Sequence, residues 1–270
     1  MIVTARVPET LLPRSHVKRG ESMKLLIVDT DRDLVEMLTG WLKTLGHDVR
    51  RAYSGKQARI EWEAQKPDLV ILDTSLKDTD ALAMCRDMRR RHDAFLFIVT
   101  DGTSVQDEIR CLEEGADDYM RKPFFPKQLL AHIRAISRRA RFTLEQRPPA
   151  ILTVGPIQVD SLHNEVRAHG KSSRLTPMES KLLHVLAVNA NNVCTPSQIV
   201  AHLWGLGNDG DASLIKVHIH HLRQKIELDP SHPHYIVTVP GVGYTLVRRH
   251  EKDLHPDFST ASRRLSVVSE

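Results

Sequence analysis

The chain has 270 residues, of which 41% are hydrophobic and 27% are charged, and its formal net charge is +4. This length favours two ordinary domains over one, and the composition is typical of a globular protein. Three cysteines far apart in the sequence do not form a disulfide framework or a zinc pattern. No apolar run approaches the roughly 18 residues of a membrane span. We therefore expect a cytoplasmic protein, in which the small positive charge allows nucleic-acid binding without requiring it.

Short apolar runs alternate five times with amphipathic stretches in the first half of the chain. The apolar runs cover residues 24–29, 47–52, 68–73, 94–100 and 117–122. The amphipathic stretches cover Leu34–Leu45, Lys56–Ala64, Leu82–Arg90, Val105–Glu114 and Lys127–Arg138. This alternation predicts an α/β domain with a doubly wound, five-stranded parallel sheet and helices on both faces. Sites in such sheets lie at the carboxyl ends of the strands.

Four polar residues fall at the carboxyl ends of predicted strands: Asp29, Asp73, Thr100 and Lys122. They supply a carboxylate that can accept a phosphoryl group, a second acid for a divalent metal, a hydroxyl and a cation. Phosphoryl transfer needs such groups, because charge on the equatorial oxygens must be neutralised and the reacting atoms held in line. Mg²⁺ prefers carboxylate oxygens and water as ligands.

The run Asp29-Thr30-Asp31 leaves two classes of protein to compare. A phosphatase of the haloacid dehalogenase type would use Asp29 as nucleophile and Asp31 as acid. It would place its lysine before its acidic pair, whereas residues 117–118 precede Lys122 here, and it would leave Asp73 without a role. The order of these residues therefore favours a signalling receiver over an enzyme.

Several motifs resemble the receiver domain of bacterial two-component response regulators over about residues 23–139. They are Asp73 after DLVIL, Thr100 after FLFIV, GADDY at 115–119 and KPF at 122–124. The resemblance implies that Asp73 is the phosphoacceptor, Thr100 the switch hydroxyl and Tyr119 the switch aromatic. It also implies that Lys122 contacts the phosphoryl group and that the Lys122–Pro123 peptide bond is cis.

The acidic pocket departs from the pattern of the family. Thr30 stands where receivers carry a second acid, and Asp101 stands where they carry a small residue. We expect Mg²⁺ to be held by Asp29, Asp73 and the backbone of Ser75. The Thr30 hydroxyl would be a weaker, neutral ligand, and Asp31 should point elsewhere. Ordinary phosphorylation by a histidine kinase and weak or absent phosphorylation both remain open.

The resemblance also implies a homodimer through the fourth helix, fifth strand and fifth helix of the receiver. The expected charge pairs are Asp118 with Arg139 and Asp117 with His132. The family usually carries arginine at the position of His132. Glu108 with Gln128 replaces a Lys–Glu pair. Exposed charges are by default solvated surface, so we expect a face that is used but weakened.

The second half of the chain is organised differently. An Arg- and Pro-rich linker at 140–150 precedes strand-like pieces at 151–160 and 165–176. Thr176, Pro177 and Glu179 predict a capped helix start. Helices are predicted at Met178–Val188, Ser197–Leu203 and Ala212–Ile226, before a hairpin around Gly241-Val242-Gly243. Three helices followed by a hairpin indicate an α+β winged helix-turn-helix domain.

Three stretches resemble the winged-helix domain of the OmpR/PhoB response regulators: 175–186 for the first helix, 211–227 for the recognition helix and 238–246 for the wing. In the recognition helix, Leu214, Val217, Ile219, Leu222 and Ile226 should pack inward. The resemblance implies that the helix enters the major groove and that the wing binds phosphates. The candidate DNA-binding residues are Ser213, Lys216, His218, His220, His221, Arg223, Thr238 and Tyr244.

Two histidines of the recognition helix, His220 and His221, occupy positions where relatives carry arginine, and Pro240 stands where a wing arginine is common. We expect lower affinity for DNA and a shallower salt dependence. His218, His220 and His221 form no metal site, because no acid or cysteine converges on them.

The sequence thus predicts a disordered leader or mis-set start (1–22), a receiver (23–139), a linker (140–150), a winged-helix domain (151–249) and a disordered tail (250–270). The predicted function is transcriptional regulation, controlled by phosphorylation of Asp73 and exerted by a dimer on tandem DNA half-sites. The predicted partners are double-stranded DNA, a histidine kinase and a second copy of the chain, with RNA polymerase as a further candidate. A phosphorylation-independent regulator is the alternative, and a phosphatase using Asp29 and Asp31 is a remote one.

Overall fold

The computed structural model describes residues 22–102, 104–125, 128–133, 136, 151–204 and 212–249. Residues 1–21 of the predicted leader, Arg139, the linker 140–150 and the predicted tail 250–270 lie outside this part of the chain. None of the helices in the described ranges is long and apolar enough to span a bilayer.

The first domain is a parallel sheet with strand order β2-β1-β3-β4-β5. Its strands are β1 (Lys24–Val28), β2 (Asp48–Ala52), β3 (Leu69–Asp73), β4 (Phe95–Thr100) and β5 (Asp118–Arg121). The helices between them are α1 (Arg32–Thr44), α2 (Gly55–Gln65), α3 (Ala81–Arg91) and α4 (Val105–Glu113). Residues 128–133 are helical and belong to a fifth helix, α5. The predicted five-stranded α/β architecture is confirmed.

The central strands are buried on both faces. Every residue of β3 and β4 is buried, because helices cover a parallel sheet on both sides. The chain places β2 on one side of β1 and then crosses back to β3 on the other side. This reversal opens a crevice at the carboxyl ends of β1 and β3, which is where open α/β sheets bind their ligands.

The second domain begins with an antiparallel sheet of four strands in chain order. These strands are β6 (Ile151–Val154), β7 (Ile157–Asp160), β8 (Glu165–Ala168) and β9 (Lys171–Arg174). The helices α6 (Pro177–Val188), α7 (Pro196–Leu203) and α8 (Ala212–Ile226) follow, and the hairpin of β10 (Ile236–Val239) and β11 (Gly243–Leu246) ends the domain. The winged-helix plan is confirmed.

The helix starts of this domain follow from local sequence. Thr176 caps α6 and forms the predicted capping box with Glu179, and Pro177 occupies the first turn. Thr195 and Gln198 make the same arrangement at α7. Both pairs satisfy backbone groups that a helix terminus otherwise leaves without partners.

The inward face of α8 differs from the prediction at two positions. Leu214, Ile219, Leu222 and Ile226 are buried as expected. Ile215, which the sequence analysis did not assign to the core, is also fully buried, whereas Val217 is only half-buried. The helix therefore buries a wider stripe than a single row of apolar residues.

The wing needs glycine at two positions for different reasons. Gly241 has a φ of +73°, which side chains with a Cβ rarely adopt. At Gly243, a Cβ would lie 2.1 Å from the carbonyl oxygen of Cys194. The wing is joined there to the segment before α7, because the backbones of Cys194 and Tyr244 exchange two hydrogen bonds.

Candidate functional site

Three charged side chains meet at the carboxyl edge of the receiver sheet. The Lys122 Nζ lies 2.7 Å from Asp29 Oδ2 and 3.1 Å from Asp73 Oδ1. Lys122 follows β5, and its backbone N–H donates to the Thr100 carbonyl oxygen at the end of β4. Its peptide bond to Pro123 is cis, as expected. The sequence correctly placed these residues together, because parallel strands bring their carboxyl ends to one edge.

The Asp73 side chain is buried at the end of β3. The residue is 1% exposed, and its carboxylate contacts the Lys122 ammonium at 3.1 Å and the backbone of Ser75. Burial, together with the neighbouring Asp29 carboxylate, raises the pKa of Asp73, and the Lys122 ammonium opposes this rise. A buried carboxylate is costly unless a cation or another polar group pairs with it, and Lys122 supplies such a cation here.

The second carboxylate of the Asp29-Thr30-Asp31 run has another function. Asp31 is the N-cap of α1, and its side chain accepts hydrogen bonds from the backbone N–H groups of Asp33 and Leu34. Asp29 Oδ1 in turn accepts the N–H of Asp31 at 2.9 Å. Thr30 is exposed at the edge of the pocket. Asp31 therefore stabilises a helix terminus and is not oriented as the acid of a phosphatase pair.

Four hydroxyl and carboxyl groups join the loop after Asp73 to the loop after β4. The Thr74 hydroxyl donates to Thr100 Oγ1 at 2.9 Å, and the Ser75 hydroxyl donates to Asp101 Oδ2 at 2.9 Å. These four residues line a cleft of about 420 Å³ between the starts of α3 and α4. The sequence analysis singled out Ser75, Thr100 and Asp101 but missed Thr74, whose role depends on a residue 26 positions away.

The predicted switch aromatic is held by α4. The half-buried Tyr119 donates its phenol hydrogen to Glu108, which also binds the guanidinium of Arg121. Glu108 is itself buried. Tyr119 therefore lies against a carboxylate of the fourth helix in this conformation.

The two acids at the start of β5, Asp117 and Asp118, contact the second domain. Asp117 is fully buried, and its Oδ1 accepts the backbone N–H of Met178, in the first turn of α6, at 2.8 Å. Its Oδ2 binds the Arg89 guanidinium and accepts the backbone N–H of Leu96. The predicted pair between Asp117 and His132 is wrong, because these contacts turn Asp117 towards α3 and α6.

His132 instead pairs with Asp118. The distance from His132 Nδ1 to Asp118 Oδ2 is 2.7 Å, and the same oxygen accepts the indole N–H of Trp204 at 2.9 Å. Arg174 of β9 also reaches the receiver, where its guanidinium lies 2.7 Å from Asp93. The face predicted to pair two receivers is thus occupied by the chain's own second domain.

His218 lies within this domain contact. It is 1% exposed, and neither ring nitrogen makes a hydrogen bond of ordinary geometry with the described residues. Burial lowers its pKa, and the carboxylates of Glu179, Asp117 and Asp118 oppose that effect. The prediction that His218 faces DNA is wrong for this conformation, because His218 is buried against the receiver. Helix periodicity cannot show that another domain covers a residue.

The outer face of α8 presents polar side chains for a ligand. Ser213, Lys216 and His220 are exposed, and so is Thr238 on the wing. Arg223 is less free than predicted: its guanidinium donates to the Ile236 carbonyl and to the Thr238 hydroxyl. It therefore also fixes the wing against the helix.

Two further candidates, Tyr244 and His221, are partly buried. Burial raises the pKa of Tyr244. His221 Nδ1 lies 3.6 Å from the Glu179 carboxylate, which also binds Lys225. Burial lowers the pKa of His221, although Glu179 opposes this. The lowered pKa and the contact with Glu179 make His221 less suited to binding a DNA phosphate as a cation than its position in the recognition helix indicated.

Glu227 is a structural residue that the sequence analysis missed. Its buried carboxylate accepts the backbone N–H groups of His234, Tyr235 and Ile236, and so joins the end of α8 to β10. The sequence analysis also missed Trp204 and Arg89. Trp204 binds the carboxylate of Asp118 and Arg89 binds that of Asp117, and both carboxylates are distant in sequence.

Comparison with known proteins agrees with this geometry. Residues 25–134 match the family model of the response regulator receiver domain. Residues 170–246 match the family model of the C-terminal region of transcriptional regulatory proteins. A receiver sheet followed by a winged helix is the architecture of a response regulator that binds DNA. The chain belongs to the OmpR/PhoB type of two-component response regulators. This family consists of transcriptional regulators, not enzymes.

Similar proteins are found over most of the chain. The DNA-binding response regulator MtrA of Mycolicibacterium smegmatis is 37% identical over 221 residues, which are 82% of this chain and 95% of MtrA. The DNA-binding dual master transcriptional regulator RpaA of a Synechocystis strain is 35% identical over 83% of this chain and 94% of RpaA. The solved structure of a RitR mutant has a TM-score of 0.67 and 26% identity, with coverage of 83% of this chain and 98% of the other.

Proposed function

We propose that a histidine kinase phosphorylates Asp73 and that this modification controls DNA binding by a dimer on tandem half-sites. The observation that carries the proposal is the Asp73 carboxylate, which is buried at the edge of the sheet beside Asp29 and 3.1 Å from the Lys122 ammonium. In the reaction, an Asp73 oxygen attacks phosphorus, the P–N bond of phosphohistidine breaks and the imidazole leaves with the electron pair. Lys122 would neutralise charge on the transferred group.

The oxygen donors of this pocket are of the kind that Mg²⁺ binds. Asp29 and Asp73 would hold the ion, with the backbone of Ser75, and the metal would supply charge neutralisation for the phosphoryl oxygens. Thr30 contributes at most a neutral hydroxyl, since the carboxylate of Asp31 is used by α1. We therefore propose weak Mg²⁺ binding.

The contact between the domains offers a physical link from Asp73 to DNA. Asp117 and Asp118 bind groups of the second domain, and His218 of the recognition helix is buried there. These acids belong to the face through which two receivers would pair. Pairing and the closed contact would then exclude each other, so a modification that favours pairing also releases the recognition helix.

A second candidate function is regulation without phosphorylation. The Asp101 carboxylate beside the pocket favours this alternative, because it would repel an incoming phosphoryl group, and so does the missing acid at Thr30. A chain of this kind would bind DNA equally well before and after exposure to a phosphodonor.

Intact mass after incubation with phosphoramidate and Mg²⁺ separates the alternatives. We expect a gain of one phosphoryl group in the wild type and none in Asp73→Asn. Fluorescence anisotropy with labelled DNA then compares the two samples. Label on Asp73→Asn would overturn the assignment of the acceptor, and a wild type that never gains label would favour the phosphorylation-independent regulator.

A further inference from the structure

The hydroxyl of Thr100 accepts two hydrogen bonds. The Thr74 hydroxyl donates to Thr100 Oγ1 at 2.9 Å, and the backbone N–H of Gly102 donates to the same oxygen at 3.0 Å. Thr100 is buried and Thr74 is half-buried, so water competes poorly for these bonds.

These two bonds decide what Thr100 can still do. A hydroxyl group has one hydrogen to donate and two lone pairs to accept with. Thr74 and Gly102 occupy both lone pairs, so the remaining capacity of Thr100 is to donate its own hydrogen. The group is thereby set as a donor and cannot turn to accept a bond instead.

The strand register places Thr100 and Asp73 at the same edge of the sheet. Asp73 is the last residue of β3 and pairs with Val99, while Thr100 is the last residue of β4. The N–H of Thr74 donates to the Val99 carbonyl at 3.0 Å, which fixes Thr74 beside the end of β4. A phosphoryl group on Asp73 would bring oxygens that need hydrogen-bond donors.

We propose that Thr74 is a positioning residue that holds the Thr100 hydroxyl as a preorganised donor for a phosphoryl group on Asp73. This inference rests on the proposed phosphorylation of Asp73. A donor that is already oriented does not have to be ordered during the reaction, which favours the phosphorylated state and the transition state that leads to it. Thr74 acts only through Thr100 and does not itself touch the phosphoryl group.

The test compares variants of the full chain with phosphoramidate and Mg²⁺. The P–O bond to Asp73 forms, the P–N bond of phosphoramidate breaks and ammonia leaves with the electron pair. Thr74→Val keeps the shape of the side chain but removes the hydroxyl, and should slow labelling by roughly 2- to 12-fold, the net effect of one hydrogen bond. Thr74→Ser should restore the rate. Thr79→Val, the same change elsewhere in this loop, should leave it unaltered.

Two measurements separate positioning from a general disturbance of the loop. Calorimetry should give the same Mg²⁺ affinity for Thr74→Val and the wild type, since neither metal carboxylate is changed. In the Thr100→Val background, adding Thr74→Val should have no further effect on labelling, because the group through which Thr74 acts is gone.

The proposal is overturned if Thr74→Val labels at the wild-type rate, if its effect adds in full to that of Thr100→Val, or if Thr74→Ser fails to restore the rate. A changed Mg²⁺ affinity in Thr74→Val would likewise replace positioning by a structural role. Failure of the proposed phosphorylation is a different result, in which the wild type itself gains no label and fails to bind beryllofluoride. That outcome removes both proposals together.

Discussion

Replacing Trp204 by phenylalanine should open the contact between the domains. The substitution removes the indole N–H that donates to Asp118 Oδ2 at 2.9 Å and keeps an aromatic ring in a buried position. A hydrogen bond to a charged group contributes roughly 1.5–3 kcal/mol. The equilibrium between the closed and open forms should therefore shift by roughly 13- to 160-fold. Asp118 retains His132 as a partner, which favours the lower end of this range.

The backbone amide of Met178 reports this opening directly. It lies in the first turn of α6, where helix N–H groups have no acceptor within the helix, and it donates across the contact to Asp117. Its protection from hydrogen exchange should therefore depend on the closed form. At constant pH, its exchange measured by NMR should be faster in Trp204→Phe by the same factor as the shift in equilibrium.

Trp62 provides the matched control. It is buried in the receiver, and its indole nitrogen has no hydrogen-bond partner among the described residues. Trp62→Phe makes the same change in size without breaking such a bond, so exchange at Met178 should stay at the wild-type rate. Equal exchange rates at Met178 in Trp204→Phe and the wild type, or equal acceleration in both variants, would refute the reasoning.

Four further outcomes follow from the site and the domain contact. Burial lowers the pKa of His218 in the closed form from its ordinary 6.5, so this form keeps its full stability above about pH 6.5 and loses it below. The radius of gyration by X-ray scattering should rise between about pH 7.5 and 5.5, and His218→Gln should abolish the trend. Lys122→Met should lower the free energy of unfolding of the receiver, measured with urea, by roughly 3–5 kcal/mol at neutral pH. The loss should be smaller in acid, because the pKa of Asp73 is raised and its protonation removes the unpaired charge. Thr30→Asp should tighten Mg²⁺ binding in calorimetry, and an unchanged affinity would contradict the ligand argument. Arg223→Ala should lower the free energy of unfolding of the winged-helix domain by roughly 1.5 kcal/mol, because the hydrogen bonds of Arg223 to β10 are lost. An unchanged thermal melting curve would contradict a role of Arg223 in holding the wing against α8.

The helices and strands could be predicted because each one is marked by a few residues that are close together in the sequence. The capping box at Thr176 and Glu179 needs four consecutive residues, and the receiver strands show as short apolar runs. Topology then placed the site, since the ends of parallel strands must share one edge. This is why Asp29, Asp73 and Lys122 were predicted to meet although Lys122 and Asp29 are 93 residues apart.

The domain contact could not be predicted in this way. Asp117 and Met178 are 61 residues apart and Asp118 and Trp204 are 86 apart, and no sheet or helix rule relates the members of either pair. Periodicity showed which face of α8 is apolar, but it could not tell that a polar residue such as His218 is covered by the receiver. The roles of these residues depend on how two independently patterned domains dock.

If two receivers pair through Asp117 and Asp118 at the start of β5, as proposed, protein abundance becomes part of the control. Their contact with the second domain is made within one chain, where tethered groups meet at an effective concentration on the order of millimolar. A second receiver at micromolar concentration must therefore bind the same face roughly a thousandfold more tightly to displace it. Under the proposed mechanism, the closed monomer would prevail at low copy number even with Asp73 phosphorylated, and each increase in synthesis would lower the signal needed for pairing. Under the same proposal, a rise in the amount of the protein would strengthen its response without any change in the phosphodonor.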